Sequence, residues 1–157
     1  MRRIRRIVLS VLLLTMSLAS CKALENEVVA SLGVYESREF YTSGGFQDFT
    51  DYAKYYFGSA EVVNNVYFTK VRERDFAELN RLLDNFESWI QIIRRDDQTS
   101  SVVVNYDFER KIIDLEDYIY VESEEHTWPD GHISLVNYNV YIFDWQTQVL
   151  YYFHNNI

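Results

Sequence analysis

Residues 118–154 read YIYVESEEHTWPDGHISLVNYNVYIFDWQTQVLYYFH, and their period sets the architecture. Tyr118 to Glu125 and His132 to Phe143 read as strands with alternate residues on opposite faces, and the short apolar run Val149 to His154 closes the sheet. A period of two places alternate side chains on opposite faces of a sheet. Between the first two runs stands Trp128-Pro129-Asp130-Gly131. Proline fixes φ at the first central position of a turn, and glycine accepts a left-handed backbone. Asp144-Trp145-Gln146-Thr147 reads as a second tight reversal. Three strands joined by short turns form a meander.

Upstream, Val102, Val104, Tyr106 and Phe108 alternate with Val103, Asn105 and Asp107. This predicts a further strand and brings the sheet to four. Before it, Phe76, Leu79, Leu82, Leu83, Phe86, Trp89, Ile90 and Ile93 recur every three or four residues, the stripe of an amphipathic helix over Glu73 to Ile93. Glu73 and Asp75 at its start and Arg94-Arg95 at its end complement the helix dipole. Phe46, Phe49, Tyr52 or Ala53, Tyr56 and Phe57 share the same spacing up to Gly58, which predicts a shorter helix over Phe46 to Phe57. Ala60 to Val71 fits a strand or an irregular connection. Residues 22–45, with Gly33 and Gly44-Gly45, read as tether and lead-in, with a short helix around Glu25 to Leu32. The expected fold is α+β: N-terminal helices packed on a C-terminal four-stranded antiparallel meander sheet, one domain over 46–157.

The chain has 157 residues, 48% hydrophobic and 17% aromatic, enough for one core and unlike a disordered polymer. Its formal charge of −9 opposes the phosphate backbone, so no nucleic-acid partner is expected. A single cysteine excludes an intrachain disulfide and a cysteine-rich zinc site.

That cysteine closes a recognisable leader. Arg2, Arg3, Arg5 and Arg6 precede the apolar run Ile7 to Leu18, whose twelve residues cover about 18 Å as a helix, well short of a bilayer core. A basic start and a short apolar run describe a signal peptide. The run ends in Leu18-Ala19-Ser20-Cys21, which resembles the lipobox of bacterial lipoproteins. The resemblance implies cleavage after residue 20, a diacylglyceryl group on Cys21, and extracytoplasmic attachment to the cell membrane. With Lys22 rather than aspartate next, it implies the outer membrane where the host has two. Two acyl chains hold firmly where one does not. Loss of residues 1–20 leaves 11 Lys and Arg against 24 acids, a net −13, so the domain is expected to stand off an anionic surface.

No phosphate-binding glycine loop, nucleophile elbow or His-Glu-x-x-His is present, and neither a catalytic set nor a cofactor is expected. Glu124, His126 and His132 flank the Trp128–Gly131 turn and are the candidate metal ligands, since two imidazoles and a carboxylate can hold zinc. The alternating pattern sends Tyr118, Tyr120, Asn137, Asn139 and Tyr141 to the sheet face opposite the long helix. Flat aromatics mixed with amides suit a protein or glycan ligand where that face is bare. The favoured alternative is that the Phe46–Phe57 helix or the lead-in covers it, because a bare aromatic patch invites aggregation. The expected function is therefore a lipid-anchored, non-catalytic binding domain. The alternatives are an extracytoplasmic hydrolase using carboxylates or His126 and His132, and a structural envelope component.

Overall fold

The computed structural model describes residues 27–43 and 49–156. The leader, Cys21, Gly44-Gly45 and Phe46 lie outside them.

Among the described residues six strands form one sheet: β1 (Ser37–Thr42), β2 (Phe49–Tyr56), β3 (Thr69–Lys70), β4 (Tyr118–Thr127), β5 (Ile133–Asp144) and β6 (Val149–Asn156). Their spatial order is β1-β2-β6-β5-β4-β3, and every neighbouring pair is antiparallel. The meander of β4, β5 and β6 follows the alternating pattern. The four-stranded sheet does not. The N-terminal pair β1 and β2 extends the meander on the β6 side, and β3 extends it beyond β4. The sheet thus incorporates residues from before position 46.

Two expected elements change type. The described part of the helix expected over Phe46 to Phe57 is a strand: β2 occupies Phe49–Tyr56 and pairs with β1 and β6. Both faces of β2 are buried, with Tyr52 packed toward the long helix while Ala53 and Tyr55 pack on the opposite side. A strand covered on both faces loses its polar alternation, so aromatic residues fall at helix-like spacing by coincidence. Val102 to Phe108 is not a strand. Ser101–Asn105 forms a short helix, α2, directly after the long helix α1 (Phe76–Asp96). Ser101 Oγ accepts from the Thr42 backbone N–H at 3.0 Å and donates to the Thr42 carbonyl at 2.9 Å, tying α2 to the end of β1. Both neighbours of β2 are already in place, so three β-branched valines yield to tertiary context. Beyond α2, Tyr106 packs on Phe86 and Tyr52, and Phe108 on Phe153.

Helix α1 keeps its predicted stripe, with Leu79, Leu82, Leu83, Phe86 and Ile90 buried. A 3-10 turn, Glu73–Asp75, leads into it, and the Asp75 carboxylate accepts the Arg72 backbone N–H at 2.9 Å. The stripe lies on one face of the sheet against Tyr52, Tyr138, Val140, Ile142 and Phe153.

The opposite face is also covered. Val28, Val29 and Leu32, from a helical turn starting at residue 27, are buried there with Val62 and Phe68 of the connection between β2 and β3. They pack on Ala53, Tyr55, Tyr141, Phe143, Leu150 and Tyr152. The molecule has three layers rather than two.

Candidate functional site

The expected aromatic face is the interior of the second core. Tyr141 is buried, its ring 4.7 Å from Tyr152 and 5.8 Å from Tyr120. Tyr67 meets Tyr120 edge-on at 5.3 Å, and Phe68 covers Tyr141 at 6.4 Å. Tyr118 rests 6.0 Å from Trp145. Of the two amides, Asn139 is engaged within the sheet, whereas the Asn137 side-chain oxygen is buried without a hydrogen-bond partner among the described residues. Asn139 donates to Glu122 at 3.3 Å and accepts from the Tyr152 hydroxyl at 2.9 Å, while Tyr120 donates to Glu122 at 2.7 Å. Asn137, half-buried, lies opposite Glu124 in the register. Of Tyr118, Tyr120, Asn137, Asn139 and Tyr141, the three tyrosines serve packing rather than an open platform. The lead-in and the 57–68 connection cover them because bare aromatic surface is costly in water.

The three proposed metal ligands are separated by an irregularity in the sheet. The register between β4 and β5 shifts between Glu124 and Glu125. Before the shift Glu124 pairs with Asn137; after it Glu125 pairs with Leu135 and reaches Arg81 of α1 at 2.9 Å. A β-bulge re-aims the side chains that follow it. His126 then meets Trp128 edge-on at 4.7 Å. Among the described residues no three His, Cys, Asp or Glu side chains converge as a metal site, so Glu124, His126 and His132 do not form the expected set.

What the hairpin builds instead is a groove against α1. Arg81, Asn85 and Trp89, four residues apart on one helix face, form one wall. His126, Trp128, His132 and Ser134 lie along the other, with Leu135 and Val136 at its side, enclosing about 1070 Å³. The turn is shaped as its residues dictate. Gly131 takes φ +83° and donates its N–H to the Trp128 carbonyl at 2.9 Å. Trp128 N–H donates to the His132 carbonyl at 2.8 Å, and Asp130 accepts the His132 N–H at 3.0 Å.

These bonds hold Trp128 in place. Its indole N–H donates to Ser134 Oγ at 2.9 Å, His126 packs on its ring, and 49% of the residue stays exposed. On the helix wall Arg81 is paired with Glu78 at 2.7 Å as well as with Glu125, which favours its charged form. The Tyr138 hydroxyl donates to Asn85 Oδ1 at 3.0 Å. The result is a partly apolar cleft with its one arginine held between two carboxylates and fixed polar groups at its margin, a surface suited to binding. Nothing in the spacing of the sequence joins Trp89 to Trp128; only the hairpin crossing beside α1 does so.

Comparison with known protein families, with curated proteins and with solved structures finds no match to this chain.

Proposed function

We propose that this protein is a lipid-anchored, extracytoplasmic binding protein that captures a neutral saccharide in the groove between α1 and the β4–β5 hairpin. The lipobox Leu18-Ala19-Ser20-Cys21 supports the anchor, with diacylglycerol carried on Cys21. In a host with two membranes, Lys22 after the cysteine supports an outer-membrane anchor by resemblance to the lipoprotein class. No helix among the described residues is long and apolar enough to cross a membrane.

The observation that carries the binding reading is Trp128: a half-exposed indole clamped by Ser134 and His126 at the mouth of a cleft. A flat ring fixed in advance loses little entropy when a ligand stacks on it. Around it, Asn85, Ser134 and the two imidazoles offer the hydrogen bonds that sugar hydroxyls need, while Glu78 and Glu125 both engage Arg81 and, among the described residues of the cleft, leave no free cation to demand an anionic ligand.

The test is a glycan array probed with the purified full-length protein. Wild type should retain a restricted set of neutral glycans, and Trp128→Ala should lose about tenfold in affinity, about 1.4 kcal/mol, with an unchanged melting temperature. Absence of any retained glycan, or equal retention by the variant, would remove the saccharide reading.

A further inference from the structure

The lead-in is part of the folded body, and this restricts how the anchored protein sits. Val28 is fully buried in the second core, and the described chain begins at residue 27. From Cys21 to Glu27 is six residues, which span at most about 20 Å when fully extended. The tether is therefore shorter than the domain itself. The strand β5 alone, at 12 residues, runs about 36 Å.

The layer that receives this short tether carries the two most exposed large apolar side chains of the described residues, Val34 and Val66. Val34 is 90% exposed, Val66 87% and Val63 56%, and Tyr35 is also exposed. They lie on adjoining loops, because Asn65 joins the loop around Val63 and Val66 to the turn before Val34: its amide donates to the Ser31 carbonyl at 2.9 Å. This surface lies at a defined end of the sheet. Glu61 N–H donates to Leu32 O, Glu36 N–H to Tyr56 O and Phe57 N–H to Gln148 O, which places the layer at the Asp144–Val149 end. Trp145, exposed in the turn there, is at the same end. The Trp128–His132 turn and its groove are at the other.

We propose that Val34, Tyr35, Val63 and Val66, with Trp145, form a membrane-resting surface that seats the anchored protein on the bilayer interface and turns the Trp128 groove outward. The occupant of this surface is the lipid headgroup layer. The short chain from Cys21 brings the two within reach, and valines with interfacial aromatics suit shallow insertion. Glu36 and Glu61 flank the patch and are exposed, so the matching surface is zwitterionic rather than anionic. Proximity of the patch to the anchor thus replaces the stand-off expected from net charge alone. The proposal rests on lipidation of Cys21, and it assigns an orientation that lipidation alone does not.

The sole cysteine supplies the test. If its sulfur carries lipid, a cysteine introduced elsewhere is the only free thiol. Full-length Val34→Cys, Val66→Cys and, at the far end, Thr127→Cys would be purified with their lipid, labelled with an environment-sensitive fluorophore and reconstituted into phosphatidylcholine vesicles. All three positions are exposed, so the fold should tolerate the changes. Labels at 34 and 66 should be shielded from iodide several-fold relative to position 127 and quenched by brominated lipid. Equal iodide quenching at all three, with wild type unlabelled at Cys21, would overturn the membrane-resting surface while leaving the anchor intact. Labelling of wild-type Cys21 would overturn the lipidation and this orientation together.

Discussion

The side chain of Asn65 reaches back 34 residues to Ser31, donating to its carbonyl at 2.9 Å and meeting its hydroxyl at 3.1 Å. The same amide oxygen accepts the Tyr67 N–H at 2.9 Å. One residue thereby closes the loop that covers the second core onto the lead-in that carries Val28 and Leu32. Asn65→Ala leaves these partners without their bond, and a loss of about 1–3 kcal/mol is expected in urea unfolding. Wild-type stability in the variant would show that the lead-in docks independently of this bond.

The first core is centred on Phe86, which is fully buried, with Phe153 edge-on at 5.3 Å and Tyr106 at 5.6 Å. It comes from α1, whereas Phe153 belongs to β6, so the contact joins helix to sheet. Phe86→Ala should cost about 3–5 kcal/mol, read as a lowered denaturant midpoint with an unchanged slope.

Burial alone does not describe Tyr52. Its ring packs in the first core while its hydroxyl donates to the Asp107 carboxylate at 2.8 Å, and Lys54 bridges that carboxylate to Glu39 at 2.8 Å on each side. Burial first, and the carboxylate second, hold the phenol protonated far above its ordinary range. Tyr52→Phe keeps the packing and deletes one bond to a charged acceptor, for an expected loss of about 1.5–3 kcal/mol. A thermal melt identical to wild type would show that water replaces the hydroxyl without cost.

These contacts show which parts of the fold local pattern can carry. The α1 stripe was legible from its period, and the β4–β6 meander from the Trp128–Gly131 and Asp144–Thr147 turns that separate its strand-length runs. Tyr52, Ala53 and Tyr55 in β2 are buried on both faces, and no period distinguishes a doubly covered strand from a helix; only their aromatic, β-favouring composition points the right way. Val102 and Val103 show the reverse, a strand-like run held as a helix by the Ser101–Thr42 bonds. The back-face position of Tyr120 and Tyr141 followed from the alternation, but the residues that cover them lie 50 or more positions away. The Trp128 groove was half visible: the turn could be read, while Arg81, Asn85 and Trp89 join it only through long-range packing.

His154 of β6 gives the stability a pH dependence. Burial lowers its imidazole below the ordinary value of 6.5, opposed by the hydrogen bond between Nδ1 and the Tyr138 carbonyl. Phe49 packs on its ring at 4.9 Å, and Asp51 lies opposite it in the register. The unfolded chain takes up a proton near pH 6.5 while the folded form resists it, so stability is fully present above that pH and falls as pH drops below it. Asp117 acts in the opposite sense, because burial raises its carboxyl and the folded state binds its proton more readily. The comparison with His154→Gln isolates the imidazole: wild type should lose more stability than the variant between pH 7.5 and 5.5 in urea titrations. Parallel losses would assign the pH dependence elsewhere.

The account depends most on what becomes of Cys21. Palmitate labelling in the native host, followed by mass measurement of the N-terminal peptide, reads that fate directly. The expected product begins at Cys21, carries diacylglycerol, and loses both the label and its retention in the membrane fraction on Cys21→Ser. An unlabelled wild-type product, or a serine variant held in the membrane as firmly as wild type, would contradict it.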